Sequence, residues 1–424
     1  MTNKRTASIL IALFCAVSLY AQGPKAFTVA PPEAAGMSSE RLARLDNFLS
    51  AEVEKGNIPG AVAFVAHRGR IVYFKAFGYD DLDRKTPLKK DNIFRIASQT
   101  KAITSTAALM LYEEGKFNLD DPVSKYIPEF RNPVLLKSFN EADSSYTTEP
   151  AKHEITIRHL FTHTGGLGYA GIGSKEMKAI YAKAGVPSGV GNSRDVLAEK
   201  MKVLGKQPLM HEPGERFTYS LGVDVLGYLV EVWSGMTLDQ YFREKIFRPL
   251  GMNDTYFYLP KEKQSRLARL YEEKDGTLRR MKTSVEGDPD YPTLPGTYYS
   301  GGAGLSSTIE DYAKFLQMIL NGGTYNGKRL LGRKTVELML TNQIMPKVSE
   351  TTQFGLGFQI ETPVNDHLSP QSLGSFSWGG MFNTQYWGDP KEQLVGLIYT
   401  QIWPTTRGRI SDRFKELVYQ SIVE

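Results

Sequence analysis

Cysteine is all but missing from these 424 residues: the single one, Cys15, falls inside the first apolar run. With that run removed, neither a disulfide nor a thiolate metal ligand can be built, and an oxidising compartment costs the chain nothing. Basic blocks are missing too, because the net charge of +5 is spread along the chain, which leaves nucleic-acid binding without support. There is no Gly-x-Ser-x-Gly, which excludes the nucleophile turn of the ordinary α/β hydrolases. His159 and His163 stand four apart but enclose no glutamate, so they read as structural rather than as a zinc pair. Gly301-Gly302-Ala303-Gly304 follows no clear strand and has no phosphate-binding lysine, and it reads as a close-packed loop. Internal repeats and low-complexity tracts are absent, and no motif calls for a cofactor or metal.

What is present begins with Lys4 and Arg5, an apolar run from Ala7 to about Ala21, and then Gln22-Gly23-Pro24. This pattern predicts a signal peptide over 1–21, export across the inner membrane to the periplasm, and no membrane span afterwards. Cys15 follows Phe14, where a lipoprotein site requires a small residue, so acylation is not expected. The remaining 400 or so residues suffice for a large core of one domain with an insertion or two intimate lobes.

From Gly60 to Gly78 two apolar runs flank Arg68-Gly69, predicting a β-hairpin, with an amphipathic helix before it from about Ser39 to Lys55. Apolar runs at 355–362, 372–378, 384–387 and 394–400 read as strands, and helices are expected over 308–320 and 410–422. Polar loops at 137–153, 171–192 and 261–292 alternate with helical patterns at 157–163, 194–204 and 223–247. The expected fold is α/β (α+β): an antiparallel sheet flanked by helices, with a mostly helical insertion. The lobes divide at about 36–115 and 295–424 for the sheet and 116–294 for the helices.

Ser98 is the only serine with a lysine three residues later, and Ser98-Gln99-Thr100-Lys101 opens an almost wholly apolar helix that ends at Gly115. That spacing puts the hydroxyl and the Lys101 amine on one face, where the amine can take part in proton transfer. Tyr219 follows the turn at Pro213-Gly214 and offers a phenol as base or shuttle. Gly379 and Gly380 interrupt a strand pattern, which marks a close backbone approach, so the N–H groups of Met381 and Ser98 could form an oxyanion hole.

In this order and at these separations, the elements resemble the serine β-lactamase and penicillin-recognising hydrolase family, in its class C-like branch with the carboxylesterases (family VIII type). The resemblance runs from about Gly36 to Ile422 and includes 92–98, 119–123, 156–167 and 246–252. It implies a β-lactamase/transpeptidase-like fold and an acyl-enzyme on Ser98, with Lys101 and Tyr219 managing the proton. Where relatives carry Tyr-x-Asn this chain has Tyr219-Ser220-Leu221, and where they carry Lys-Thr-Gly it has Trp378-Gly379-Gly380. The group that holds an acylamino substituent and the cation that holds a carboxylate are both replaced. Leu221, Trp378, Gly379 and Gly380 are therefore expected at the substrate, a small-molecule ester. Amide hydrolysis, as by a β-lactamase or D-amino-acid peptidase, is the alternative, and a non-catalytic binding protein with this fold is the remote one. The sequence gives no oligomeric state.

Overall fold

The computed structural model describes residues 26–191, 194–283, 288–344, 348–349, 352–404 and 410–424. The expected signal segment lies outside them.

The hairpin forms where the sequence places it. Gly60–His67 is buried at every position, and the chain reverses at Arg68-Gly69 into Arg70–Asp81. Both turn residues hold positive φ, 52° and 72°, a region that costs glycine nothing. Leu394–Tyr399 pairs antiparallel on the far side of Gly60–His67, followed outward by Thr384–Asp389, Phe376–Gly380 and the short edge strand Gln359–Ile360. Thr28–Val29 closes the other edge in parallel, and among the described residues the sheet has eight strands.

Alternation along the strands divides the core in two. Ala61, Ala63 and Val65 pack with Leu42, Leu45 and Leu49 of helix Ser39–Glu54 and with Phe414 and Leu417 of helix Ile410–Tyr419. Val62, Phe64 and Ala66 face the other way, toward helices Thr100–Glu113 and Ile309–Leu320. Ser38 caps the first of these helices by accepting from the Arg41 N–H, a cap that contributes about 1 kcal/mol.

The intervening stretch departs from the expected loops. Residues 137–153 contribute to a hairpin, Val134–Phe139 with Tyr146–Pro150, whose second strand is exposed throughout. A polar strand that buries nothing has no apolar alternation to betray it. Tyr271–Lys274 and Thr277–Arg280 form another hairpin about Asp275-Gly276, a turn dipeptide that the sequence did carry. The loop expected over 171–192 holds helix Lys175–Ala184, capped by Ser174 and ended by Gly185. The helix expected over 223–247 breaks: Gly222–Ser234 ends at Gly235, and Leu238–Tyr241 starts anew and runs into a π-turn over Phe242–Phe247. Among the described residues no helix is long and apolar enough to cross a membrane.

Candidate active site

Ser98 sits in a 3₁₀ turn, Ala97–Gln99, immediately before helix Thr100–Glu113, one step earlier than a regular helix would place it. Ala97 holds φ at 42°, a left-handed conformation that a non-glycine residue adopts only when its surroundings impose it. The surroundings do so from both sides. Buried Arg95 donates to the carbonyls of Pro289 (2.6 Å) and Ala268 (2.7 Å), while Tyr312 Oη donates to the Gln99 carbonyl at 2.8 Å. The strained turn is thereby held and lifts the hydroxyl off the core.

Two groups converge on Ser98 Oγ. Tyr219 Oη lies 2.7 Å away and Lys101 Nζ 3.4 Å away. Lys101 is 2% exposed, so its amine needs partners. It donates to the Gly302 carbonyl at 2.8 Å and to Tyr169 Oη at 3.2 Å, and stands 4.5 Å from the centre of the Tyr219 ring. The Gly301–Gly304 loop is indeed close-packed beside the site. A Cβ on Gly302 would lie 2.3 Å from Asp224 Oδ2, and one on Gly301 2.8 Å from the Val223 carbonyl. Thr104 Oγ1 donates to the Gly301 carbonyl at 2.6 Å, tying the loop to the Ser98 helix.

Tyr219 is held by rings on several sides: His163 at 4.6 Å, Tyr169 stacked at 5.6 Å and Trp378 at 5.5 Å between centroids. Burial, with Lys101 beside it, holds the His163 imidazole well below its ordinary range, so it stays neutral. Burial pushes the Tyr169 phenol well up, keeping it protonated beside the lysine. Asp224 is also raised by burial, against a 2.6 Å bond from Ser300 Oγ and the opposing pull of Lys101.

His159 closes a capping box at helix Ile157–Thr162, its Nδ1 accepting from the Thr156 N–H. No group of acidic, histidine and cysteine side chains suited to a metal ion occurs among the described residues.

Ser98, Tyr219 and Met381 line two cavities, of about 540 and about 480 Å3, that meet at the serine. Trp378, Gly379 and Gly380 line the first. The glycines serve opposite faces of their strand. A Cβ on Gly380 would fall 2.3 Å from the Ile96 carbonyl on the Ser98 side, and one on Gly379 2.4 Å from the Gln385 carboxamide on the other. Leu221 corrects the expectation: it is fully buried, donates its N–H to the Gly168 carbonyl at 3.0 Å, and lines neither cavity. An apolar side chain entering a helix is drawn into the core, so only the absence of an amide survives from that reading. Sequence reasoning passed over Tyr169 and Asp224 and read His163 as structural, because each is brought to Lys101 or Tyr219 by packing rather than by spacing.

A mixed α/β fold with a serine hydroxyl held between a phenol and a buried lysine defines a serine hydrolase of the transpeptidase-like class. The chain belongs to the β-lactamase family, whose model, described as Beta-lactamase, matches residues 45–420. It is 34% identical over 366 residues to protein Rv1367c of Mycobacterium tuberculosis, covering 83% of this chain and 88% of that one. Esterase EstB of Burkholderia gladioli is 31% identical over 409 residues, covering 92% and 98% of the two chains. Among solved structures, EstCE1, described as a hydrolase with promiscuous acyltransferase activity, superposes with a TM-score of 0.76 at 26% identity, covering 91% of this chain and 98% of its own.

Proposed function

We propose that this hydrolase is an exported carboxylesterase of small to medium esters, working through an acyl-enzyme on Ser98. Ser98 Oγ attacks the ester carbonyl while its proton is taken up by the Tyr219–Lys101 pair, of which one member enters the step deprotonated, and that proton is returned to the departing alcohol. Water then adds to the acyl-serine, releasing the acid and restoring the hydroxyl. The backbone N–H groups of Ser98 and Met381 receive the developing oxyanion. One observation carries the preference for esters: the 480 Å3 cavity beside Ser98 is walled by Leu270, Met281, Tyr291 and Phe382, and among the described residues no lysine or arginine lines it. An acyl group bearing an anion finds no partner there, whereas an apolar acyl group finds aromatic and aliphatic contacts. The replacement of the family's cation by Trp378 and of its amide by Leu221 supports the same reading, as do the names of EstB and EstCE1. The basic and apolar character of the first 21 residues supports export.

The purified protein is expected to hydrolyse p-nitrophenyl acetate and butyrate with a burst, and to gain the mass of one acyl group. Ser98→Ala is expected to lose both, and undiminished turnover in that variant would overturn the mechanism. A chromogenic cephalosporin is expected to be turned over far more poorly than the esters; equal efficiency would reverse the substrate assignment.

A further inference from the structure

The larger cavity does not stop at Trp378. It continues past the open edge of strand Phe376–Gly380 to the face of the sheet opposite the Ser98 helix, where helix Ile410–Tyr419 packs. The sheet register explains what lines it there. Gln359 pairs with Ser377 and Gly379 with Gln385, while Glu361 N–H donates to the Ser375 carbonyl one step further along. Side chains two apart share a face, so Gln359, Glu361, Ser377 and Gln385 point the same way from three neighbouring strands. All four line the cavity that Ser98 lines, and none of their side chains has a hydrogen-bond partner within the described residues. Glu361 is 9% exposed, and its Oε1 is buried without a partner. Leaving such an atom unpaired costs about 1–3 kcal/mol. Lys415 faces them from the helix with one of its three donors engaged, by Gln371 Oε1 at 2.6 Å.

The mixture of groups narrows the ligand. Two carboxamides and a hydroxyl each both donate and accept; Glu361 supplies an acceptor, and Lys415 supplies donors. Neither an isolated cation nor an isolated anion would satisfy this set, since half of it would remain unmatched. A run of hydroxyl groups would, because each donates one bond and accepts others. The distance fits as well, for Ser375 lies four residues from Gly379, a rise of about 13 Å.

We propose that this chamber is a subsite for a polyhydroxylated alcohol, a sugar unit above all, so that the esters hydrolysed at Ser98 are acylated sugars whose acyl group enters the apolar cavity. The inference rests on the hydrolase reading and adds the identity of the alcohol. Glu361 and Gln385 are specificity-determining residues, positioned where hydroxyls distant from the scissile bond arrive. Burial, opposed by Lys415, lifts the Glu361 carboxyl to about 7, in keeping with an acceptor that lacks its partner.

The test compares acetates that share one acyl group: 6-O-acetylglucose, cyclohexylmethyl acetate, which keeps the ring without hydroxyls, and acetylcholine, which carries a cation. The wild type is expected to favour the sugar ester over cyclohexylmethyl acetate by at least about tenfold in kcat/KM, because a site built for hydroxyls rejects the analogue without them. Glu361→Ala and Gln385→Ala are each expected to shrink that ratio about tenfold through KM. Equal rates on the two ring esters, a ratio unmoved by both variants, or preference for acetylcholine would overturn the proposal. Calorimetric titration with methyl glucoside reads the chamber without catalysis. Saturable binding weakened about fivefold by Glu361→Ala supports the subsite, and no saturable binding removes it. Failure of the hydrolase reading shows separately, as absent turnover of p-nitrophenyl acetate by the wild type.

Discussion

In the proposed mechanism the chemistry at Ser98 draws on a lysine that has no carboxylate of the described residues within salt-bridge distance. Lys101 is satisfied instead by one carbonyl, one phenol and one aromatic face. Removing either group that touches Ser98 should therefore be costly: Lys101→Ala and Tyr219→Phe are each expected to lower kcat by more than about a hundredfold, measured on p-nitrophenyl butyrate. Tyr169 touches the lysine and not the serine, so it is a positioning residue. Tyr169→Phe keeps the stacked ring and deletes one bond to Lys101, and a loss of about tenfold in kcat with a displaced pH–rate profile is expected. An unaltered profile would reduce Tyr169 to packing.

The strand Phe376–Gly380 carries two glycines for two different neighbours. A methyl group on Gly380 meets the Ile96 carbonyl, which cannot withdraw without moving the turn that bears Ser98. A methyl group on Gly379 meets the end of the Gln385 side chain, which can swing away. Gly380→Ala is therefore expected to cost about 1–3 kcal/mol and most of the activity, and Gly379→Ala distinctly less, in thermal melts and ester assays. Equal losses would mean that the two faces are not distinguished. The elements legible in the sequence were those with strong alternation or amphipathic periodicity, such as Gly60–His67 and Ile309–Leu320. Those missed were hairpins such as Val134–Phe139 with Tyr146–Pro150, whose second strand is exposed throughout and reads as a polar loop, while Leu135, Leu136 and Phe139 of the first are only partly buried. At the site, spacing pointed to Ser98 with Lys101, and the family resemblance added Tyr219. Tyr169 and Glu361 were not, since sheet register and loop packing bring them in from segments with no motif.

For the molecule as a whole, Glu361 ties stability to pH. Its carboxyl titrates near 7 when folded against an ordinary 4.5, so the native state keeps a proton that the unfolded chain has released. The stabilisation is present below about 4.5 and is lost as pH rises toward 7. Glu361→Gln should accordingly raise the melting temperature more at pH 8 than at pH 5; an equal change at both would show a carboxyl that ionises freely. The first chamber is built on the sheet and helix Ile410–Tyr419, the second is walled chiefly by loops, and the serine stands between them. Ser98, Ile172, Tyr219 and Met381 belong to the walls of both chambers. Anyone reshaping specificity meets an asymmetry there: substitutions at Leu270 and Gln359 touch one wall each and should combine additively. A change at Ile172 or Met381 alters both fits at once, so its effect will depend on what has already been changed on either side.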